Sequence, residues 1–408
     1  MRNLNQLYLG GTETTTFPAG AEQLTQLARI DLHGNRIGTL PEYAYQHLER
    51  INLHENPLSA ETLQRLAPQA LVVQPNWEHV TAGEGRDLWL QGLEQTERSR
   101  GETLWDSLTA EPESSALLTV VADTTRSAEY RNPTTRAQLR ERVWAMLKAV
   151  SDSENIRNKL FEIADDRATC GDGSTLEFMN LERELFVLNA TELADGPYLE
   201  DQLLNVSKQL FRLKLVDEIA QRDVMARGAA FTEQSEVILA YRIGLADKLE
   251  LPVKSREMLF ARTANVTPAA INAAFDDVLK AEAVSSDYET FLVDQPFWDR
   301  YLRTHYRAEF EALIAPEIKP IDEKSSALLE LWGLSEGGVP EDQAVERVVS
   351  VLGVSRDEVL VDGSMRSGFY KKQMDALGVL RSQQEQLGLT LLTRKILNNH
   401  AAKHGTQL

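Results

Sequence analysis

One loop gathers the residues that could do chemistry: Asp165, Asp166, Arg167, Ala168, Thr169, Cys170, Gly171, Asp172, Gly173 and Ser174. Cys170 is the only cysteine among 408 residues. Gly171 and Gly173 make the loop a poor place for a core side chain. Ser174 with Glu177 three residues later has the pattern of a capping box, so a helix is predicted to begin at about Thr175. Cys170 then sits just before a helix N-terminus, where partial positive charge favours a thiolate. Asp172 lies two residues on, close enough to share the same space. The pattern points to a cysteine nucleophile with a carboxylate helper.

A carboxylate suits acyl transfer from a thioester to an amine. A lysine amine, with a pKa of about 10.4, is mostly protonated at neutral pH. Asp172 could orient it and take its proton as general base. Hydrolases more often pair cysteine with histidine. The histidines are His33, His47, His54, His79, His305, His400 and His404, and none lies within ninety residues of Cys170. A lone cysteine without a nearby Cys or His cluster is not a zinc site, so no metal or other cofactor is expected. Plainer readings stand beside these. A single cysteine is commonly a small buried hydrophobe. Asp172 also reads as a turn or capping residue, and Asp165 and Asp166 as a solvated helix end.

The formal net charge is −19. That argues against nucleic acid or anionic membrane as a partner, since both need basic surface. One cysteine allows no intrachain disulfide. No apolar run reaches the length of a membrane span. No secretory h-region follows Met1, so a targeting segment is expected to be absent or to lie upstream.

The elements that must position the loop are of two kinds. Leu4-x-x-Leu7-x-Leu9, Leu27-x-x-Ile30-x-Leu32 and Leu48-x-x-Ile51-x-Leu53 share one frame, with Asn35 and Asn56 at matching positions. This is the leucine-rich-repeat pattern, a β/α solenoid in which each unit lays down a short strand. No N-terminal cap is visible, so a longer array is expected upstream. Leu71–Val73 reads as a last strand, and Gln74-Pro75-Asn76 breaks the pattern. From there on the periodicity is helical, for example Leu139, Val143, Met146, Leu147 and Val150. Pro316 and Pro320 mark a second break, and the tail from Asn399 reads as frayed. The expected architecture is mainly α: repeats over 1–74, an all-helical catalytic domain over 86–315 and accessory helices over 321–408.

The stretch from Phe161 to Cys170-x-Asp172 resembles the "novel E3 ligase" (NEL) family. So do Gln209–Leu213 with Ile219-Ala220, and Glu236–Tyr241. The family comprises bacterial effectors with leucine-rich repeats followed by an all-helical ubiquitin ligase domain, and the order of elements agrees over about residues 1–312. The resemblance implies that Cys170 accepts ubiquitin as a thioester from a charged E2 enzyme. It implies that Asp172 assists transfer to a substrate lysine, and that the repeats bind the protein substrate and can restrain the catalytic domain. Arg212 and Tyr241 lie in matching stretches as possible supporting residues without assigned roles. Secretion by a bacterium and action in the host cytoplasm are implied too. Gly171 and Gly173 stand where bulkier residues are expected, which predicts a more mobile loop. Two other readings are a non-catalytic repeat scaffold and a cysteine hydrolase acting on ubiquitin conjugates.

Overall fold

A computed structural model describes residues 6–9, 12–23, 29–32, 35–46, 51–53, 56–59, 61–62, 65, 79–164, 170–192, 198–227, 234–335 and 341–404. The repeat starts Leu4, Leu27 and Leu48, the segment Leu71–Asn76 and the loop Asp165–Thr169 lie outside the described residues. The chain is mainly helical and divides into two compact units, Met1–Leu279 and Lys280–Leu408. Among the described residues no helix is long and apolar enough to cross a membrane.

The first unit opens with three short parallel strands, β1 (Gln6–Tyr8), β2 (Arg29–Asp31) and β3 (Ile51–Asn52). Leu7 pairs with Ile30, and Ile30 with Ile51. Ile30 and Leu32, then Ile51 and Leu53, point to one side and are buried, as the two-residue period of a strand requires. A short helix, α1 (Glu42–Gln46), lies between β2 and β3. Two buried asparagines tie successive turns together. Asn35 Nδ2 donates to the carbonyls of Leu9 (2.7 Å) and Leu32 (2.9 Å). Asn56 Nδ2 donates to those of Leu32 (2.8 Å) and Leu53 (3.1 Å), and its Oδ1 accepts the Ile37 N–H at 2.9 Å. Asn56→Ala strands these backbone groups away from water. The expected loss is about 1–3 kcal/mol, read as a lower urea midpoint for this segment.

Helices follow: α2 (Ala82–Leu90), α3 (Gln95–Thr109), α4 (Ser115–Asp123), α5 (Ala128–Arg131), α6 (Pro133–Asp152), α7 (Glu154–Ile163), α8 (Gly171–Glu192), α9 (Leu199–Arg227), α10 (Gln234–Leu245), α11 (Ala261–Ala264) and α12 (Pro268–Glu282). Their starts follow local chemistry. Thr81 and Glu84 form a capping box on α2. The side chains of Ser127, Asn132 and Ser153 cap α5, α6 and α7. Pro133 takes the first position of α6, where a missing N–H is harmless. Two cores result. One gathers Trp89, Trp105, Leu117, Val121, Val143 and Phe178; the other gathers Leu213, Val216, Val237, Tyr241, Leu245 and Val278.

The second unit contains α13 (Ser285–Val293), α14 (Pro296–His305), α15 (Arg307–Ser335), α16 (Asp342–Leu352), α17 (Arg356–Val359) and α18 (Phe369–His404). Trp298 is fully buried, donates its indole N–H to Thr393 Oγ1 at 2.9 Å and stacks on Tyr301. Between α17 and α18 a small hairpin pairs β4 (Leu360–Val361) with β5 (Ser364–Met365) through Asp362 and Gly363, both with positive φ.

Pro316 and Pro320 do not break the chain but lie inside α15. Both are exposed, while Ile318 and Ile321 between and beside them are buried. The lost backbone bonds therefore fall on the solvent side of the helix, where carbonyls can turn to water. The tail does not fray at Asn399, because α18 runs to His404, with Leu392, Ile396 and Leu397 buried before it.

Candidate functional site

The helix predicted from Thr175 begins at Gly171, four residues earlier than expected. Cys170, not Ser174, is the residue at its cap. The Ser174 N–H donates to the Cys170 carbonyl at 3.0 Å, and its hydroxyl donates to the same oxygen at 3.3 Å. The Gly173 N–H donates to Cys170 Sγ at 3.2 Å. The sulfur thus does what a Ser or Asp oxygen does at an ordinary N-cap, with the positive end of the helix beside it. Asp172 then falls in the first turn, where an acidic residue is favoured.

Cys170 is 3% exposed and Asp172 is 0% exposed. Gly171, Gly173, Ser174 and Thr175 are buried around them. At Gly171 the absence of a side chain allows a close approach. A Cβ there would lie 2.8 Å from Leu259 Cδ1 and 3.0 Å from the Arg126 carbonyl oxygen. A bulkier residue has no room.

What covers Asp172 is an irregular segment between α10 and α11. Its carboxylate accepts the Leu259 N–H on Oδ1 at 2.7 Å and the Phe260 N–H on Oδ2 at 2.8 Å. Burial pushes the Asp172 carboxyl above its ordinary range; the two amide bonds and the Arg131 charge pull it down without cancelling that push.

The same segment is tied down further along by a buried ion cluster that sequence reading missed. Arg142 of α6 donates from Nε and Nη2 to both Glu182 oxygens of α8, at 2.9 and 2.7 Å. Its Nη1 donates to Glu129 at 3.1 Å. Ser255 Oγ accepts from Arg142 at 2.9 Å and donates to Glu129 at 3.0 Å. Glu129 also accepts the Arg256 N–H at 3.3 Å. Burial opposes the Arg142 charge, but Glu182 and Glu129 outweigh it and raise its pKa. One signal was legible: Arg142 falls three residues after Leu139 and four before Met146, on the buried stripe of α6. Arg142→Met leaves two buried carboxylates without their cation. We expect a loss of about 3–5 kcal/mol, read as a lower midpoint in urea unfolding followed by tryptophan fluorescence.

The other residues singled out from the sequence have different surroundings. Arg212 donates to the Leu249 carbonyl at 3.0 Å and pairs with Glu250. Tyr241 is buried in the second core, and its hydroxyl donates to Asp223 Oδ2 at 2.9 Å. Burial and then that bond push its pKa up to about 12. Neither of these bonds reaches Cys170 or Asp172; the first ties α9 to the turn after α10, and the second joins α9 to α10. Among the histidines, His79 pairs with the buried Asp123 carboxylate, and His305 stacks on Tyr301 in the second unit. Among the described residues no group of three His, Cys, Asp or Glu side chains could hold a metal ion.

Fold and site define a helical protein that seats a cysteine and an aspartate together at the start of a long helix. The family described as "C-terminal novel E3 ligase, LRR-interacting" matches residues 89–309, more than half of the chain. The chain belongs to this NEL family. It is 31% identical over 260 residues to the E3 ubiquitin-protein ligase ipaH7.8 of Shigella flexneri, covering 58% of this chain and 43% of that protein. It is 29% identical over 257 residues to ipaH9.8 of Shigella boydii, covering 57% of this chain and 44% of that protein. The probable ligase ipaH4.5 of Shigella flexneri is 29% identical over 239 residues, covering 53% of this chain and 39% of that protein. The chain therefore spans under half the length of the curated relatives it matches.

Proposed function

We propose that this chain is an E3 ubiquitin-protein ligase that works through a thioester on Cys170. The observation that carries the reading is Cys170 as the cap of α8, with the Gly173 N–H on its sulfur and Asp172 in the next half-turn, inside the family match. In the first step the Cys170 thiolate attacks the carbonyl carbon of ubiquitin held as a thioester on an E2. A new carbon–sulfur bond forms, and the E2 thiolate leaves. In the second step a substrate lysine amine attacks the same carbon, an amide forms and the Cys170 thiolate leaves. Asp172 takes the ammonium proton released as the amine attacks. A carboxyl held above its ordinary range is a stronger base for that task than a solvated one.

The parallel strands joined through Asn35 and Asn56 support reading residues 1–74 as leucine-rich repeats, with the ligase domain from residue 86. The repeats are the proposed seat of the protein substrate. Ubiquitin is a eukaryotic protein and the relatives are Shigella proteins, so the proposed setting is a host cell reached by a secreted bacterial effector.

A reconstituted reaction with E1, a panel of E2 enzymes and ubiquitin tests this reading. Ubiquitin conjugates that depend on this chain support it. No conjugates with any E2, from a chain whose Cys170 reacts with a thiol reagent after unfolding, would count for the scaffold reading.

A further inference from the structure

We propose that residues 254–260 form a hinged strap that closes the Cys170–Asp172 site, and that Glu257 is part of the latch holding it shut; this rests on the ligase reading above. A thioester carbon must come within about 3.5 Å of the sulfur to react. At 3% exposure Cys170 offers no such approach, and Asp172, at 0%, cannot meet an amine. Something must move. Helix α8 is fixed on the first core by Phe178 and Leu181. The strap has no regular structure, and Glu257, Met258, Leu259 and Phe260 are only half-buried. Its Leu259 and Phe260 amides occupy both Asp172 oxygens, and Leu259 lies against Gly171, the neighbour of Cys170.

Three further observations give the strap its mechanics. Side-chain bonds anchor it away from the site: Ser255 Oγ and the Arg256 N–H donate to Glu129, and Glu257 accepts from Asn132 Nδ2 at 2.6 Å and Thr135 Oγ1 at 3.3 Å. Glu250 before it and Asn265 after it are non-glycine residues at φ 52° and 47°. Both lie outside regular helix, among the loop and element-terminal positions at which hinge motions are absorbed. Beside the strap is a cavity of about 650 Å³, lined by Met258, Ala261, Ile243 and Ile271, into which it could swing. Opening would free both Asp172 oxygens and uncover the Gly171 side of Cys170 in one motion.

The test uses the full chain and needs no ubiquitin. Because Cys170 is the only cysteine, iodoacetamide labelling under native conditions reports one sulfur. Glu257→Ala should label at least about tenfold faster than the parent, the effect expected from losing one charge-assisted hydrogen bond that holds the closed form. Glu257→Gln keeps a neutral acceptor for Asn132 and should label more slowly than Glu257→Ala but faster than the parent. Equal melting temperatures for the three proteins show that the fold is intact. A Glu257→Ala rate equal to the parent's overturns the strap proposal. Failure of the ligase reading would appear separately, as faster labelling with no ubiquitin adduct.

Discussion

Cys170→Ala is expected to abolish ubiquitin conjugation, a fall on the order of 10⁴-fold or more, because no other thiol can carry the acyl group. The fold should survive the change. Alanine removes the sulfur that accepts the Gly173 N–H, a cap loss of about 1 kcal/mol. Cys170→Ser separates chemistry from structure more sharply. Serine is a preferred N-cap, so stability should be kept. Its hydroxyl would hold ubiquitin as an oxyester, which resists thiols but not alkali. Gel analysis of the two variants after incubation with charged E2 checks this: no adduct with alanine, and a thiol-resistant adduct with serine. A thiol-sensitive adduct in Cys170→Ala would place the acceptor elsewhere.

Asp172→Asn is expected to leave the Cys170 adduct in place and to slow its passage to lysine by about 10²–10⁴-fold, the usual contribution of a general base. The pH dependence follows from the direction of the shift. Burial raises the Asp172 pKa, so protonation persists to higher pH than in an unfolded chain, where an aspartate titrates at about 3.9. A base must be ionised, so parent transfer should fall on acidification at a pH above the ordinary aspartate range. Asp172→Asn should lack that fall. For stability the sign is opposite. A raised carboxyl favours the folded state fully below about 3.9, and that contribution is lost as pH rises through the folded value. The amide variant also presents an NH₂ to one of the two strap N–H groups, so its melting temperature should drop at neutral pH. Rates of lysine discharge from preformed adduct across pH decide the matter. A single acidic limb shared by parent and variant would assign the proton to another group.

Much of the helical architecture was legible because it rests on local patterns. The stripe of Leu139, Val143, Met146, Leu147 and Val150 on α6 sits where a helical period puts it. The cysteine and its neighbouring aspartate could be picked out by type and spacing alone. Their surroundings could not. Leu259 and Phe260 reach Asp172 through backbone amides across almost ninety residues of chain, and an amide carries no side-chain signature. The start of α8 was misplaced because Ser174 and Glu177 mimic a capping box, while a sulfur took the cap. The prolines of α15 misled for a related reason. Their cost depends on which side of the helix faces water, and that is set by tertiary packing.

A single-turnover reaction tests the Cys170 thioester itself. The chain is mixed with E2 carrying one ubiquitin, quenched within seconds and resolved without reducing agent. A thioester route predicts a transient species of the chain plus one ubiquitin. It should form before any lysine product, vanish on thiol treatment and be absent from Cys170→Ala. Lysine product arising at the parent rate from Cys170→Ala, with no adduct at any time, would contradict it.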